Sequence, residues 1–308
     1  MNRWPPRPRL GSRFYKAHGL GNDYLVFEEG SGWDASDANV ARVCDRFRGP
    51  GGDGIVALLG GARTDPTEPG RIEVRLRMFN PDGGEFERSG NGLRVLGSYL
   101  ARRDPSLRAA RISVGGDQVE MTFHGRRGPV HDISVAMGRA RTGAGAVGLD
   151  PAALRSDGTM EGPDGDPLAV VPVSVGNPHL VVLCEGEDEP PTEQRLARIG
   201  PWLVAHPALR HGANVQLAAV SGGGRCRALI WERGVGRTSA SGTSSCAVAV
   251  AMVSTGRLAP GAVAVEMPGG TLRVDVDASL DVRLRGPVEE VFDGELSEAL
   301  LATFEPAP

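Results

Sequence analysis

The chain has 308 residues, which is enough for one large domain or for two domains that each bury a core. Lys and Arg total 34 and Asp and Glu total 38, so the formal net charge of -4 gives no electrostatic reason to expect a nucleic acid or an anionic membrane as a partner. No apolar stretch approaches the roughly 20 residues of a membrane span. The cysteines lack the paired spacing of a zinc site or a disulfide framework: Cys44, Cys184, Cys226 and Cys246. We therefore expect a soluble, cytoplasmic, two-domain protein that binds a small molecule.

The first thirteen residues combine four arginines with three prolines, and no apolar segment of a signal peptide follows them. Charged, proline-rich termini are usually solvated chain. Residues 1–13 are therefore predicted to be a disordered tail, and a basic arm that binds a partner is the alternative.

Abundant glycine (44) and proline (23) with only 5% aromatic residues favour many short strands joined by tight turns, which predicts a mixed α/β fold. Strands are predicted, in chain order, at Tyr24–Phe27, Ile72–Phe79, Ala110–Val114, Val119–Phe123, Ile133–Met137, Ala169–Val175, Leu180–Cys184, Val215–Val220, Cys226–Trp231, Val263–Met267 and Leu272–Val276. Helices are predicted at Asp37–Phe47, Gly92–Arg102, Thr192–Val204 and Ser244–Ser254.

Two of these helices are introduced in the same way, because Ser89-Gly90 precedes the second helix and Ser241-Gly242 precedes the fourth. The two serines lie about half a chain length apart, as gene duplication into two similar domains would leave them. A boundary is predicted near residues 138–148, where Gly and Ala are concentrated.

A small residue followed by Gly at a strand-to-helix turn directs backbone N–H groups and the positive end of the helix dipole to one point, which makes an anion site. Two such turns could hold one carboxylate between two helix N-termini. Serine is also a preferred helix N-cap, so Ser89 and Ser241 could simply cap their helices. The sequence leaves both interpretations open.

Further polar motifs surround these turns. They are His18-Gly19-Leu20-Gly21-Asn22-Asp23, Phe79-Asn80-Pro81-Asp82-Gly83, Gly176-Asn177-Pro178-His179, Ala213-Asn214-Val215 and Glu232-Arg233-Gly234. Each Asn beside Gly or Pro would on its own be read as a turn residue, and Glu232-Arg233 alone would be a surface charge pair.

The ordered series HGLGNDY, GGDG, FNPDGGEFERSGNG, SVGNPH, GANV, ERGVGRTSASG, PGG and RGPVEEVFDGE resembles the diaminopimelate epimerase family from about Phe14 to Glu295. The resemblance implies an α/β (α+β) fold of two pseudo-symmetric domains, each a mixed, barrel-like sheet around a central helix, with the active site between them. The implied domains are residues 14–138 with 286–308, and residues 139–285. The resemblance also implies no metal, no pyridoxal phosphate and no other cofactor.

In that family one cysteine removes the α-proton and an opposing cysteine protonates the other face. Carried over, the cradle of the α-carboxylate would be Gly90, Asn91, Gly242 and Thr243. The non-reacting end of the substrate would be held by Asn80, Asn177, Asn214 and Arg233, and the reacting ammonium would lie near Asn22 and Glu232. Arg233 is the strongest candidate among these residues, because a planar guanidinium can hold a distal carboxylate bidentately.

The chemistry departs from the family, because Ser89 and Ser241 stand at both positions where the family has its catalytic cysteines. A thiol has a pKa near 8.5 that a helix N-terminus lowers, whereas an alkoxide needs an adjacent base. The candidate activating residues are His18, His179, Asp23 and Asp82. Cys246 lies within the predicted apolar helix, where we expect a buried, inert thiol.

Three interpretations follow for the function. The first is an amino-acid epimerase or racemase that uses serines. The second is a related biosynthetic isomerase, cyclase or lyase that abstracts one proton and then eliminates, tautomerises or cyclises. The third is a catalytically inactive homologue that binds an amino acid or a partner protein, or a Cys-to-Ser variant made to trap substrate. The expected partner is a small-molecule amino-acid substrate, without nucleic acid or membrane, and a homodimer is left open.

Overall fold

The computed structural model describes residues 6–86, 89–184 and 191–305. The chain divides into two compact units, residues 1–135 with 286–308 and residues 136–285, so the division falls slightly before the expected one after residue 138. In the described part of the chain, every helix is too short or too polar to span a lipid bilayer.

The first half of the chain forms one mixed sheet around a helix. Its elements are β1 (Arg9–Gly19), β2 (Asn22–Glu29), β3 (Trp33–Asp34), α1 (Asp37–Cys44), β4 (Ile55–Thr64), β5 (Arg71–Phe79), β6 (Glu85–Phe86), α2 (Gly90–Arg103), β7 (Ala109–Val114), β8 (Asp117–Arg127) and β9 (Val130–Arg139). Strands β2 and β4 pair in parallel, as do β5 and β7, and the other neighbours in the series β1-β2-β4-β5-β7-β8-β9 are antiparallel.

The second half repeats this plan. Its elements are β10 (Arg141–Thr142), α3 (Ala144–Val147), β11 (Thr159–Glu161), β12 (Pro167–Ser174), β13 (Pro178–Leu183), α4 (Glu193–Val204), β14 (Asn214–Gly222), β15 (Arg225–Glu232), β16 (Gly236–Thr238), α5 (Gly242–Ser254), β17 (Gly261–Met267), β18 (Gly270–Val276), β19 (Asp281–Glu295) and α6 (Glu298–Leu301). The pairs β13–β14 and β15–β17 are parallel, whereas β12–β13, β14–β15, β17–β18 and β18–β19 are antiparallel.

The order and direction of pairing are therefore the same in the series β1-β2-α1-β4-β5-β6-α2-β7-β8 and in the series β12-β13-α4-β14-β15-β16-α5-β17-β18. Strand β19 pairs with β18 through its first residues and with β1 from Glu289 onward. It also pairs with β9, which closes the first sheet into a barrel. The predicted α/β class with two pseudo-symmetric barrel-like sheets is confirmed.

The central helix of the second unit shows why the sequence folds in this way. Helix α5 is hydrophobic on every side, and all its residues from Ser244 to Val253 are buried. A helix without a polar face must be enclosed by other elements. Its Ala and Val side chains are short, so the surrounding strands can approach closely. Cys246 is buried within it, as predicted.

The predicted disordered tail is wrong for residues 9–13, which belong to β1. Arg9 and Arg13 look like solvated charges in the sequence, yet each forms an ion pair with a carboxylate, on Asp34 and Glu295 respectively. Leu10 between them is completely buried. Residues 1–5 of that prediction lie outside the described part of the chain.

Three long strands have no counterpart in the sequence-based prediction, namely β1, β4 and β19. In β19, Gly286-Pro287 interrupts the sequence pattern, and Pro cannot donate to a ladder. The strand accommodates this dipeptide because pairing with β18 ends at Arg285 and pairing with β1 begins at Glu289.

Candidate active site

The first Ser-Gly turn opens helix α2. Ser89 is the N-cap, with extended backbone (φ -126, ψ 126), and its Oγ accepts a hydrogen bond from the Gly92 backbone N–H at 3.1 Å. The hydroxyl accepts in this bond, so its own proton is not consumed by it. The cap bond satisfies one of the N–H groups that a helix N-terminus leaves without an intrahelical partner, and the others can bind an anion. Capping and an acid-base role are thus compatible at Ser89.

The second Ser-Gly turn opens helix α5 with the same geometry. Ser241 is the N-cap, with extended backbone (φ -153, ψ 131), and its Oγ accepts from the Ser244 backbone N–H at 3.5 Å. The Ser245 hydroxyl donates to the Ser241 carbonyl at 2.8 Å. The longer cap bond leaves the Ser241 hydroxyl less constrained than the Ser89 hydroxyl.

Asn91 does not have a free amide. Its side chain is 4% exposed, and its Nδ2 donates to the backbone carbonyl of Asn22 at 2.6 Å and to the Asn22 Oδ1 at 2.8 Å. Its Oδ1 accepts from Arg94 Nη2 at 2.9 Å. Only the backbone of Asn91 is therefore available for a carboxylate, and its side chain instead fixes Asn22 beside the turn.

Arg94 is a residue of this site that sequence reasoning missed. It is 1% exposed, and its guanidinium also faces the backbone carbonyls of Gly90 and Pro287, each at 3.4 Å. Its cation lies beneath the start of α2 and adds positive potential there. The signal in the sequence was the spacing of three residues after Asn91 on the same helix face.

A cluster of charged side chains, of which Asp23 and Lys16 are buried, supports Asn22 from the other side. Asn22 Nδ2 donates to Asp53 Oδ2 at 2.7 Å, and Arg46 bridges Asp53 and Asp23. Lys16 lies 2.9 Å from Asp23. Burial alone would raise the pKa of Asp23, but the hydrogen bonds from Arg46 and Lys16 outweigh it and lower that pKa. Asp23 therefore stays ionised and paired. The GGDG motif was the signal for Asp53.

The turn after β5 carries Asn80 and Asp82. Asn80 is exposed, and its backbone closes the turn by donating to Gly84 and accepting from Gly83. The Asp82 carboxylate accepts from the Gly84 N–H at 2.8 Å. Asp82 is therefore a turn residue rather than an activator of Ser89. Glu87 and Arg88, which follow on the way to Ser89, lie outside the described residues.

In the second unit a polar network lies beneath the start of α5. His179 is completely buried, and burial lowers its pKa to about 3. Gln216 Nε2 donates to His179 Nδ1 and to Ser244 Oγ, each at 3.0 Å. His179 Nε2 then donates to Asn177 Oδ1 at 2.9 Å. The imidazole is therefore neutral and uses both nitrogens, so it positions Asn177 rather than activating Ser241.

The other predicted residues of the second unit gather at the ends of β14 and β15. Asn214 Oδ1 accepts from the Arg233 backbone N–H at 3.0 Å, and Asn214 Nδ2 donates to the Pro178 carbonyl at 3.4 Å. Arg233 is exposed, and its guanidinium donates to the carbonyl of His211. Glu232, the last residue of β15, is half-buried. Gly242 and Thr243 form the first residues of α5.

The last candidate activator, His18, lies near the end of β1, next to the turn that leads to β2. Its Nδ1 accepts from the Gly21 N–H at 3.3 Å, and its Nε2 lies 3.9 Å from a carboxylate oxygen of Glu289. Within the described residues, the four candidate activators are thus hydrogen-bonded to other groups than the serine hydroxyls.

Each unit is thus a sheet around a buried helix that begins at a Ser-Gly turn. The family model described as diaminopimelate epimerase matches residues 14–143 and 171–289. A protein named diaminopimelate epimerase from Desulforudis audaxviator is 39% identical over 290 residues, which cover 92% of this chain and 98% of that protein. The chain belongs to the diaminopimelate epimerase family, and it is accordingly an isomerase.

Solved structures share the fold. A predicted epimerase from Pseudomonas aeruginosa has a TM-score of 0.64 at 21% identity, covering 93% of this chain and 99% of that one. A hydroxyproline epimerase from Agrobacterium vitis with bound trans-4-OH-L-proline has a TM-score of 0.64 at 14% identity, covering 94% of this chain and 92% of that one. At these identities the likeness concerns the fold alone.

Proposed function

We propose that this enzyme interconverts LL- and meso-diaminopimelate by proton transfer at one α-carbon, without a metal or pyridoxal phosphate. Two observations support the substrate. The relative with 39% identity is named diaminopimelate epimerase, and the chain carries the polar residues that the family resemblance assigns to recognition.

The observation that carries the proposal is the repetition of one turn. Ser89 and Ser241 occupy the same position in two units of the same topology, each as the N-cap of a buried helix. Epimerisation requires one group that removes the α-hydrogen and a second that delivers a proton to the opposite face. A duplicated fold supplies two such groups. We propose that Ser89 and Ser241 are this pair and that they stand where the family has cysteines.

In the proposed reaction one serine is present as an alkoxide, its hydroxyl proton having passed to water. Its oxygen takes the α-hydrogen, and the electrons of the broken C–H bond move onto the substrate α-carboxylate. The other serine hydroxyl then gives its proton to the α-carbon from the opposite face. The extra negative charge on the carboxylate is stabilised by the N–H groups at the two helix starts. These groups belong to Gly90, Asn91, Gly242 and Thr243.

The remaining polar residues would hold the substrate in place. We assign the distal amino-acid group to Asn80, Asn177, Asn214 and Arg233, and the reacting ammonium to Asn22 and Glu232. The rigid hydrogen bonds of Asn22 to Asn91 and of Asn177 to His179 support this assignment, because pre-positioned amides lose little freedom on binding. Arg233 would grip the distal carboxylate with two N–H groups.

The test is to incubate the purified protein with LL-diaminopimelate and to follow the appearance of the meso isomer by chiral chromatography. L-lysine is the matched control substrate, because it has the same reacting end without the distal carboxylate. We expect conversion of diaminopimelate and a much slower reaction of lysine. Equal rates would remove the proposed role of Arg233, and no conversion of diaminopimelate would overturn the proposed function.

A further inference from the structure

The first unit contains a cavity at the opposite end of α2 from Ser89. Its volume is about 520 Å³, and it lies between the last turn of α2 with the following loop and the β8–β9 hairpin. Because α2 has 14 residues, the cavity and the Ser89 turn are separated by about 20 Å along the helix axis. The cavity is thus distinct from the candidate active site.

The cavity combines positive charge with an apolar wall. Arg108 and Arg126 line it, and in the described part of the chain neither is paired with a carboxylate: Arg108 Nη1 donates to the Leu107 carbonyl at 3.2 Å, and Arg126 Nε donates to the Gly128 carbonyl. Asp132 is the acidic member of the lining. Two arginines opposed by one carboxylate leave a net positive charge.

Arg102, also in the lining, adds little to that charge. Its guanidinium is paired with Glu290 at 2.7 Å and with Asp293 at 2.6 Å. The apolar part of the wall is formed by Leu107, Phe123 and Ile133. A volume of several hundred cubic ångströms with an apolar wall and a few polar groups is typical of small-molecule sites.

A buried histidine completes the cavity. His131 lines it, is only 3% exposed, and has an Nε2 without a hydrogen-bond partner among the described residues. An unsatisfied buried polar atom destabilises a fold, so such atoms usually have a partner. Burial and the charge of Arg126 both lower the pKa of His131, so the positive potential of the hairpin reaches this ring. The ring therefore stays uncharged in the wall of the cavity.

We propose that this cavity binds a small organic anion, in which a phosphate or carboxylate group meets Arg108 and Arg126 and an apolar body packs against Leu107, Phe123 and Ile133. Either anion chemistry suits a planar guanidinium, which can donate two parallel hydrogen bonds to paired oxygens. This site is independent of the proposed epimerase reaction.

Calorimetric titration of the full chain with phenylphosphate tests the site, with benzoate as the carboxylate probe. Arg126→Ala should weaken binding about tenfold, since it removes a charge-assisted hydrogen bond. Arg127→Ala is the matched control, because Arg127 lies next to Arg126 on β8 but does not line the cavity. It should change binding by less than about twofold.

The outcomes are distinct. Weaker binding in Arg126→Ala with unchanged binding in Arg127→Ala supports the site, and the stronger of phenylphosphate and benzoate identifies the anion. Equal weakening in both variants, no binding of either probe, equal binding of inorganic phosphate, or equal binding of uncharged benzyl alcohol overturns the proposal. A thermal melt checks that Arg126→Ala is folded. If it is not, Arg126→Gln takes its place. Diaminopimelate conversion is not the readout, so failure here leaves the proposed function standing.

Discussion

The starts of helices α2 and α5 have the same cap and topology but different support. Beneath α2, Met78 and Tyr24 leave no room for a side chain at Gly92. A Cβ atom added to Gly92 would lie 2.3 Å from Met78 Cε. At the corresponding place beneath α5, Ser244 carries a hydroxyl that Gln216 bonds. The duplication therefore preserved the turn, while each copy acquired its own surroundings.

The same contrast holds for the residues that position the two asparagines proposed to bind substrate. Asn22 is fixed by Asn91 and by a cluster of charged side chains, whereas Asn177 is fixed by the neutral ring of His179. The two units thus hold these asparagines by different chemistry, with charged side chains in the first unit and a neutral ring in the second.

The largest effect is expected from removing the hydroxyl of either Ser89 or Ser241. Ser89→Ala and Ser241→Ala should each lower the rate of diaminopimelate epimerisation by about 10²–10⁴-fold, since each removes a group that transfers a proton. The rate is measured by chiral chromatography. Ser36→Ala is the matched control, because Ser36 caps α1 through Asn39 N at 3.3 Å and has no proposed role in the reaction. If Ser36→Ala lost as much activity, loss of a cap alone would explain all three results.

The second prediction concerns Arg233, because the first unit has no arginine at the corresponding place. Arg233 follows β15, whereas Asn80 follows β5. Arg233→Ala should weaken diaminopimelate binding by about tenfold to a hundredfold, because charge-assisted hydrogen bonds to the distal carboxylate are lost. Calorimetric titration measures the binding. Arg237→Ala, which removes a cation paired with Glu193, is the control. Equal losses in both variants would point to a general charge effect.

The third prediction exchanges the residue types at one pair of corresponding buried positions, one beneath α5 and one beneath α2. Gln216 on β14 and Val56 on β4 hold corresponding strand positions, and both are completely buried. Gln216→Val should lower the free energy of unfolding by about 2 kcal/mol, because His179 and Ser244 lose a donor. Val56→Gln should lower it by a similar amount, because the new amide finds no partner prepared for it. Urea unfolding measures both. If either variant left the free energy of unfolding unchanged, the residue types at these two positions would be interchangeable.

The fourth prediction concerns pH. The pKa of His179 is lowered from its ordinary value near 6.5 to about 3, so in acid the unfolded chain binds a proton that the folded chain excludes. The free energy of unfolding should therefore fall as pH drops from about 6.5 toward 3, by up to about 1.4 kcal/mol per pH unit from this group. His179→Tyr, which places there the residue type of Tyr24, should reduce the slope between pH 6 and 4.5, as followed by urea unfolding at each pH. An unchanged slope would assign the effect to His131 or His206, whose pKa values are also lowered.

Local signals were enough to predict much of this structure. The two serine caps, the long strands other than β1, β4 and β19, and the burial of Cys246 follow from short-range patterns. The tail prediction was wrong for residues 9–13, because the partners of Arg9 and Arg13 lie far along the chain.

The hydrogen bonds that hold the site residues in place could not be predicted from the sequence, because their partners also lie far apart along the chain. Asn91 and Asn22 are separated by 69 residues, and Gln216 and His179 by 37. Such pairs depend on how strands and helices pack, which no local pattern encodes. The polar motifs around the two turns indicated that polar residues gather there, but not which of them bond one another.

The central claim is that Ser89 and Ser241 are the acid-base pair of an epimerase, and the incorporation of solvent deuterium at the α-carbon of diaminopimelate tests it most directly. The LL and meso isomers are followed separately by NMR in the parent, in Ser89→Cys, in Ser241→Cys and in the double variant. We predict that the parent exchanges slowly and that the double variant exchanges faster, because a thiol has a pKa closer to the working pH. Each single variant should gain little, since every turnover needs both groups. Absence of exchange in all four proteins while diaminopimelate still binds would contradict the account.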